Sequence, residues 1–578
     1  MKIKIYILFF LTISFVLGCR KLNETIYDTP SVSNSVNTAA DVSLVFAGAY
    51  GILEHLECYK KETVKMMELC ADHMSSTTTE FAVFSQKIYD PSTGPIRSVY
   101  SRYYSVINNC NFLLEKLNSL KLDSTYTVRA EGEIKFVRAF VYFDLVRLFG
   151  PIPLRTSSVN INAEFYVGRD SVSKIYNLIF EDLKTASNNL LPRDQAPIPG
   201  LGYANKGAAQ AMLSLAALTY GNFLESSGRA ASPAYTMARD YADSVILSGK
   251  YSLANNYADL WDVDLENMAY TTEVIFGLRF TRDKNASSSA AKGSEFASRM
   301  MPNSMPGVTG ATATFNSSGN VSIPAGIGSG AFKVQPWFYD YCTTGDYAGD
   351  YRNEVTFLTQ WQRYNSTTVF VTYPNVPGTG QLLEPNTANT LTPTRGEQPY
   401  IKKYVDGKGL DASNHENDLF IIRLAEVFLI RAEAENELNG PAGAYTSFNM
   451  LRARARKANG TARLVPANLA TGLTKDQFRK KIFDERGLEF IGECKRWFDL
   501  VRMKNPSGTG TMYQHQFQTF LPTIAPGIPV YNTTTRRWGG GKTERSSIVP
   551  YNSKFLLFPI PQIERDLNAK LTQNGGYN

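Results

Sequence analysis

Several sets of side chains in this sequence have the types and spacing to do chemistry. Glu485, Glu489 and Glu493 recur every four residues, so on a helix they stack along one face. Sugar hydrolysis needs two carboxyls on opposite sides of a cleft, which one stripe does not supply. Arg486, Lys495, Arg496 and Arg502 are interleaved with the acids, and an ion-pair network is the expected role. The set Arg423, Glu426, Arg431 and Glu433 reads the same way. His55-x-x-Cys58 and Cys70-x-x-His73 are mirror-image motifs with eleven residues between the cysteines. Zinc takes such ligands, although the spacing matches no common finger; a Cys58–Cys70 disulfide and unpaired buried thiols are the other outcomes. Gly539-Gly540-Gly541-Lys542-Thr543 resembles the end of a phosphate-binding loop, but Arg536 stands where that loop needs glycine. A flexible loop is the better reading. No Gly-x-Ser-x-Gly elbow occurs, and four histidines offer little general-base capacity. No catalytic residue, metal ligand or cofactor site is therefore expected.

The chemistry that the composition favours is non-covalent. The 578 residues include 33 Phe, 32 Tyr and 5 Trp, and tyrosine joins an apolar face to a hydrogen-bonding tip. Asp72–Tyr104 concentrates such groups: Asp72, His73, Phe84, Tyr89, Arg97, Tyr100 and Tyr103 offer ring faces beside polar atoms, the combination a sugar requires. Alanine at Tyr89 and Tyr100 is expected to weaken glycan retention without unfolding the protein. A second candidate surface spans Met300–Trp337, where Trp337, Phe338 and Tyr339 are adjacent and the preceding Met-containing stretch would also suit a peptide. The competing reading for every one of these rings is packing. Asn108, Asn109 and Asn111 are expected to order loop backbone. The formal charge of +7 includes no long basic block, so nucleic-acid binding is not expected.

These groups need a scaffold, and helical periodicity supplies it. Helical character covers Ala39–Leu56, Ser98–Leu120, Glu131–Phe149, Ser171–Leu190, Asn205–Leu224 and Tyr235–Ser248. It resumes at Asp418–Leu438, Ala442–Lys457 and Lys475–Met503. Between them, Thr271–Phe280 reads as a strand, and two long irregular tracts cover Thr281–Lys333 and Tyr364–Pro399. The tail reads as loop to Ser553, then extended over Lys554–Ile560. The spacing of helix pairs predicts a mainly α, tetratricopeptide-like array with an irregular, loop-rich lobe and a few short strands. The array is expected at about 39–250 and 418–503, the irregular lobe at about 251–417 and a C-terminal segment at 504–578, all within one domain spanning 31–578.

Residues 1–18 read as an export signal: Lys2 and Lys4 precede the apolar run Ile5–Leu17, which is short for a bilayer span. Val16-Leu17-Gly18-Cys19 looks like a bacterial lipobox, with Cys19 as the lipidated residue and 19–30 as a polar tether.

Four further blocks carry a resemblance. Gly132-Glu133-Ile134-Lys135-Phe136-Val137-Arg138-Ala139-Phe140 runs on through Tyr142-Phe143-Asp144-Leu145 to Phe149-Gly150-Pro151-Ile152-Pro153-Leu154. Arg423–Ala434, Glu485–Phe490 with Arg496–Leu500, and Phe558-Pro559-Ile560-Pro561 with Gln573–Tyr577 follow in order. Together with the lipobox, they resemble the SusD/RagB family of outer-membrane nutrient-binding lipoproteins. The resemblance implies four tetratricopeptide-like helix pairs facing a SusC-like TonB-dependent β-barrel transporter. It also implies an oligosaccharide, or in some members a peptide, held by the irregular lobe and its neighbouring loop. The chain is then expected to be a non-enzymatic surface protein of the outer membrane, anchored by its N-terminal lipid. Two features depart from the pattern. The stretch after Cys19 has a single acid, Glu24, where surface-displayed relatives carry more, and the Asp72–Tyr104 region has no Trp, unlike starch-binding relatives. A lipid-anchored repeat scaffold for protein contacts is the remaining reading.

Overall fold

The structure is a computed structural model. It describes residues 36–577 except 77, 160–163, 196–202, 283–291, 303–313, 316–320, 324–327, 364–369, 373–397, 407–410, 507–508, 529, 533–536, 540 and 542–548. The export signal, Cys19 and the tether lie outside the described residues, as do most of the two irregular tracts.

Helices of eight residues or more are α1 (Ala39–Leu53), α2 (Glu62–Leu69), α3 (Gly94–Ser119), α4 (Ser124–Phe149), α5 (Val172–Asn189), α6 (Lys206–Ser226) and α7 (Ser232–Leu247). They continue as α8 (Pro336–Thr343), α9 (Leu424–Asn439), α10 (Tyr445–Ala455) and α11 (Lys475–Phe490). Neighbours stack in the order α1, α3, α4, α5, α6, α7, α9, with α10 and α11 both packed on α9. The mainly α, stacked-helix class expected from periodicity is what the chain adopts.

Local chemistry explains the boundaries. Asp123 caps α4 by accepting the Tyr126 N–H at 2.9 Å, and Asn205 caps α6 through the Ala208 N–H at 3.0 Å. The small residues of α6 let α7 approach closely. Ser214 donates to the Ala238 carbonyl at 2.7 Å, and a Cβ at Gly221 would fall 2.5 Å from the Tyr235 ring. The buried apolar side chains of array and lobe form one continuous core.

Three expected boundaries shift. The Asp418–Leu438 stretch opens with a strand rather than a helix. Its residues Leu419–Arg423 pair antiparallel with Val274–Leu278, with Leu419 opposite Leu278 and Arg423 opposite Val274. All ten of these residues except Arg423 and Gly277 are apolar, and a fully buried apolar run does not reveal its period. Lys475–Met503 breaks after Phe490, because Gly492 and Cys494 take positive φ values of 82° and 60° before a short helix resumes at Arg496–Arg502. Lys554–Leu556, expected to be extended, instead forms with Ser553 a 3-10 turn capped by Asn552.

Candidate functional site

The loop after α2 and the segment before α8 are brought together by a short antiparallel pair, β1 (Met74–Ser75) with β3 (Lys333–Val334), where β2 is Val274–Leu278. The Gln335 N–H extends this pairing by donating to the His73 carbonyl at 2.9 Å. Two regions separated by about 260 residues of chain, Asp72–His73 and Trp337, therefore meet.

Between them lies a small cleft. Trp337, Phe338 and Tyr341 of α8 form one wall, and Lys480, Phe483 and Asp484 of α11 form the other. Arg496 closes the base, and His515, Gln516 and Phe520 complete the rim. Trp337 meets Phe520 edge-on at 5.1 Å and Phe338 at 5.4 Å. The base is held by Asp72, whose two carboxylate oxygens accept Nε and NH2 of Arg496 at 2.8 Å each. The Gln516 amide donates to the same carboxylate at 2.6 Å. Burial raises the Asp72 pKa, but the Arg496 guanidinium outweighs it and holds the carboxyl below its ordinary range. Arg496 also stacks 3.7 Å from the Phe483 ring centre. His73 lies edge-on to Phe338 at 5.4 Å, with its Nε2 3.2 Å from a Glu68 oxygen. At the mouth, Lys480 donates to Asp484 at 2.5 Å and to the Tyr341 hydroxyl at 3.3 Å. Burial, then the neighbouring Lys480, lowers the His515 pKa, and Asp484 opposes them.

Of the side chains singled out in the sequence, Trp337 alone lines this cleft; Asp72 and His73, 3% and 0% exposed, are buried behind it, Asp72 holding Arg496 and His73 abutting Phe338. The others lie elsewhere. Phe84, Tyr89, Tyr100 and Tyr103 are at most 2% exposed. Phe84 stacks on Tyr89, Tyr89 packs against Phe555 and Phe558, and Tyr100 abuts Tyr104 and Phe149. The Tyr103 hydroxyl donates to Asp144 at 3.2 Å. These four rings are core, a correction to the expected platform: α3 turns Tyr100 and Tyr103 inward onto α4, and Tyr89, with Phe84 stacked on it, packs against the C-terminal segment. Arg97 is exposed on α3, away from them. Asn108 and Asn111 order the loop after α4: Asn111 donates to the Arg155 and Ser157 carbonyls, and Asn108 accepts the Val159 N–H. His515, Gln516 and Phe520 were missed. The signal for them is the spacing of Tyr513, Phe517 and Phe520, a helical stripe inside a stretch read as loop.

The other motifs resolve structurally. Cys58, Cys70, Cys110, Cys342 and Cys494 are all free and buried. Among the described residues, no group of three or more His, Cys, Asp or Glu side chains could hold a metal ion. The glutamate stripe does form an ion-pair network, with partners from outside α11. Glu489 binds Arg423 at 2.6 Å and Arg352 at 2.9 Å, Glu485 binds Arg452 at 3.1 Å, and Glu493 binds Lys403 at 2.9 Å. Burial opposes the charge on Glu489, yet Arg454, Arg423 and Arg352 hold its pKa well below the carboxylate range. Of the interleaved cations, Arg486 bridges Glu426 and Asp499, and Arg496 takes Asp72. Each acid of the stripe is committed to a cation, which leaves no carboxyl there to transfer a proton.

Comparison with known proteins decides the family. The model of the SusD family matches residues 272–577, more than half of the chain. The chain belongs to the SusD family. A second family model, described as starch-binding associating with outer membrane, matches residues 27–218. Among SusD-family relatives, SusD-like protein P2 of Formosa agariphila is 25% identical over 512 residues, 87% of this chain and 91% of that one. The starch-binding protein SusD of Bacteroides thetaiotaomicron is 24% identical over 506 residues, 85% of this chain and 80% of that one. A SusD homolog from Bacteroides thetaiotaomicron superposes with a TM-score of 0.74 at 20% identity, covering 94% of this chain and 98% of that one. A laminarin-binding SusD-like protein superposes at 0.64 with 21% identity, covering 94% of this chain and all of the other. The SusD fold thus extends over nearly the whole chain.

Proposed function

We propose that this SusD-family chain is a non-enzymatic, lipid-anchored surface protein of the outer membrane. It captures oligosaccharides and passes them to a SusC-like TonB-dependent β-barrel transporter. The observation that carries the reading is the company the chain keeps: relatives and structural neighbours spanning its length are named for starch and laminarin. The Trp337 cleft supports it chemically, since it sets aromatic faces beside an amide, an ion pair and an imidazole at one surface. Cys19 is the proposed lipid attachment point. Capture and release suit such a shallow, preformed contact, because a carrier that hands its ligand on must not hold it tightly.

The test is affinity electrophoresis of the mature protein through gels containing each member of a polysaccharide panel, beside titration with a mixed peptide pool. Retardation by at least one glycan is the expected result. Binding of peptides with no retardation in any gel would transfer the cargo to peptides, and binding of neither would leave the scaffold reading.

A further inference from the structure

We propose that Lys87 is a positioning residue for the Trp337 cleft. Its buried ammonium holds the rim segment His515–Phe520 in register, so glycan retention depends on the proton that it carries. On the glycan-binding reading, on which this rests, Lys87 governs how the site meets its ligand.

Lys87 stands where a lysine gains little. It is 3% exposed, its Nζ has no hydrogen-bond partner, and its backbone takes a φ of 53°, in the left-handed region. Lys65 and Lys403 are at least as buried, but they are ion-paired to Glu62 at 2.5 Å and to Glu493 at 2.9 Å. Burying an ammonium without an ion-pair partner costs stability, and so does the backbone strain. What the Lys87 ammonium meets instead is aromatic. Its Nζ lies 4.2 Å from the Phe517 ring centre and 5.9 Å from that of Tyr513.

Phe517 belongs to the segment that makes the rim. His515–Phe520 is a short stretch of π-helix, a rare register that recurs at functional sites. It gives His515, Gln516 and Phe520 to the cleft, while Phe517, 2% exposed, stays out of the lining and meets Lys87. Two polar contacts thus flank the segment. On the cleft side the Gln516 amide donates to Asp72 at 2.6 Å, and on the buried side the Lys87 ammonium faces the Phe517 ring. A shift of Phe517 moves its neighbours with it, including Phe520, which meets Trp337 at 5.1 Å.

One group of this cluster changes charge at mildly alkaline pH. Burial lowers the Lys87 pKa to about 8, with Cys70 and Asp72 opposing. Burial pushes the Cys70 thiol up to about 12 and lifts Tyr89, Tyr513 and Tyr577 above the usual tyrosine value. Asp72, held low by Arg496, stays charged throughout. Above about pH 8 the ammonium becomes an amine, its attraction to the Phe517 ring is lost, and the rim loosens.

Isothermal titration of the full-length mature protein tests this at about pH 7 and about pH 9.5. The ligands are maltoheptaose, laminarihexaose and an oligosaccharide of any panel glycan that retards the protein. The wild type is expected to bind about fivefold more weakly at the higher pH. Lys87→Met, similar in length and neutral, is expected to bind about fivefold more weakly already at about pH 7 and to decline no further. Lys87→Arg keeps a charge that does not titrate in this range and is expected to abolish the decline. A ligand-free measurement accompanies these. Hydrogen exchange of peptides covering residues 512–520 is expected to be about fivefold faster in Lys87→Met than in the wild type, with a thermal midpoint no lower. Unchanged exchange, with or without a lower midpoint, overturns the proposal, as does a wild-type pH profile in Lys87→Met. Binding of no glycan in the panel overturns the capture reading and with it the pH-dependent retention, while faster exchange would still assign the rim to Lys87.

Discussion

Tyr89 shows how position decides what an aromatic ring does. Its ring is 2% exposed and lies 5.2 Å from Phe558 and 5.5 Å from Phe555, so it cannot meet a ligand from solution. Tyr100 is wedged equally firmly against Phe149. The structure reverses the expectation for these two positions: alanine at either should cost about 3–5 kcal/mol of stability, the range for large-to-small core substitutions. Urea unfolding of each variant checks this, together with titration of the folded protein, in which glycan affinity should be unchanged. A stable variant with lost affinity would return the ring to the binding site. The residue types of the Asp72–Tyr104 region were readable, but whether a tyrosine points outward is set by which helix face meets a neighbour. Asp72, His73 and Trp337 were legible as polar and aromatic candidates; their meeting through β1 and β3 was not, because non-local pairing leaves no local signature.

At the scale of elements, α11 is the piece on which most depends. It carries Lys480, Phe483 and Asp484 to the cleft and Glu485 and Glu489 to the buried network. Its start is fixed by a capping box, in which the Thr474 hydroxyl accepts the Gln477 N–H at 3.2 Å and Gln477 accepts the Thr474 N–H at 2.9 Å. Thr474→Ala should destabilise the protein by about 1 kcal/mol, and Thr474→Ser should restore it, as read from thermal denaturation. An unaffected midpoint in Thr474→Ala would mean that tertiary packing alone sets the helix start. Long periodic helices such as α3–α6 were legible because amphipathic spacing is a local property. The ends of Asp418–Leu438 and Lys475–Met503 were not. A five-residue apolar strand and a positive-φ break are both chosen by what surrounds them.

Across the whole molecule, buried charge makes array and lobe one body. Arg423, at the end of the strand Leu419–Arg423, joins Glu273 at 2.7 Å to Glu489 and Glu493, while Arg352 reaches Glu485 and Glu489 from the lobe side. A second buried cluster behaves oppositely. Burial, then the nearby Asp418, pushes the Glu54 carboxyl up to about 7. Burial likewise raises Glu266 and Asp418, and Glu266 accepts the Asp418 N–H at 2.9 Å. These acids hold protons in the folded state that the unfolded chain releases near pH 4. Their stabilising contribution is therefore full at low pH and is lost as pH rises through their folded values. Glu426 opposes them from the acid side. Burial pushes its pKa up, but Lys495 and Arg486 outweigh this and hold it at about 2, so its contribution is lost only as pH falls below about 4. Thermal midpoints should peak near pH 5 and decline toward pH 8. Glu266→Gln, which keeps the acceptor and removes the titration, should flatten that decline. An identical slope in the variant would refute the assignment of the pH dependence to this cluster.

The sequence by itself determined the helical class, the order of the helices, the family resemblance and the ionic character of the glutamate stripe. Each of these is written in short-range spacing or in blocks of consecutive residues. Tertiary structure alone decided which arginines answer Glu485, Glu489 and Glu493, which tyrosines are core, and where a cleft opens. Those outcomes depend on contacts between segments hundreds of residues apart, whose energies exist only once the chain has closed on itself. Trp337 stands at the boundary between the two. Its ring was visible as a candidate in the sequence, but its meeting with Phe338 and Phe520 at the edge of a cleft is a product of packing.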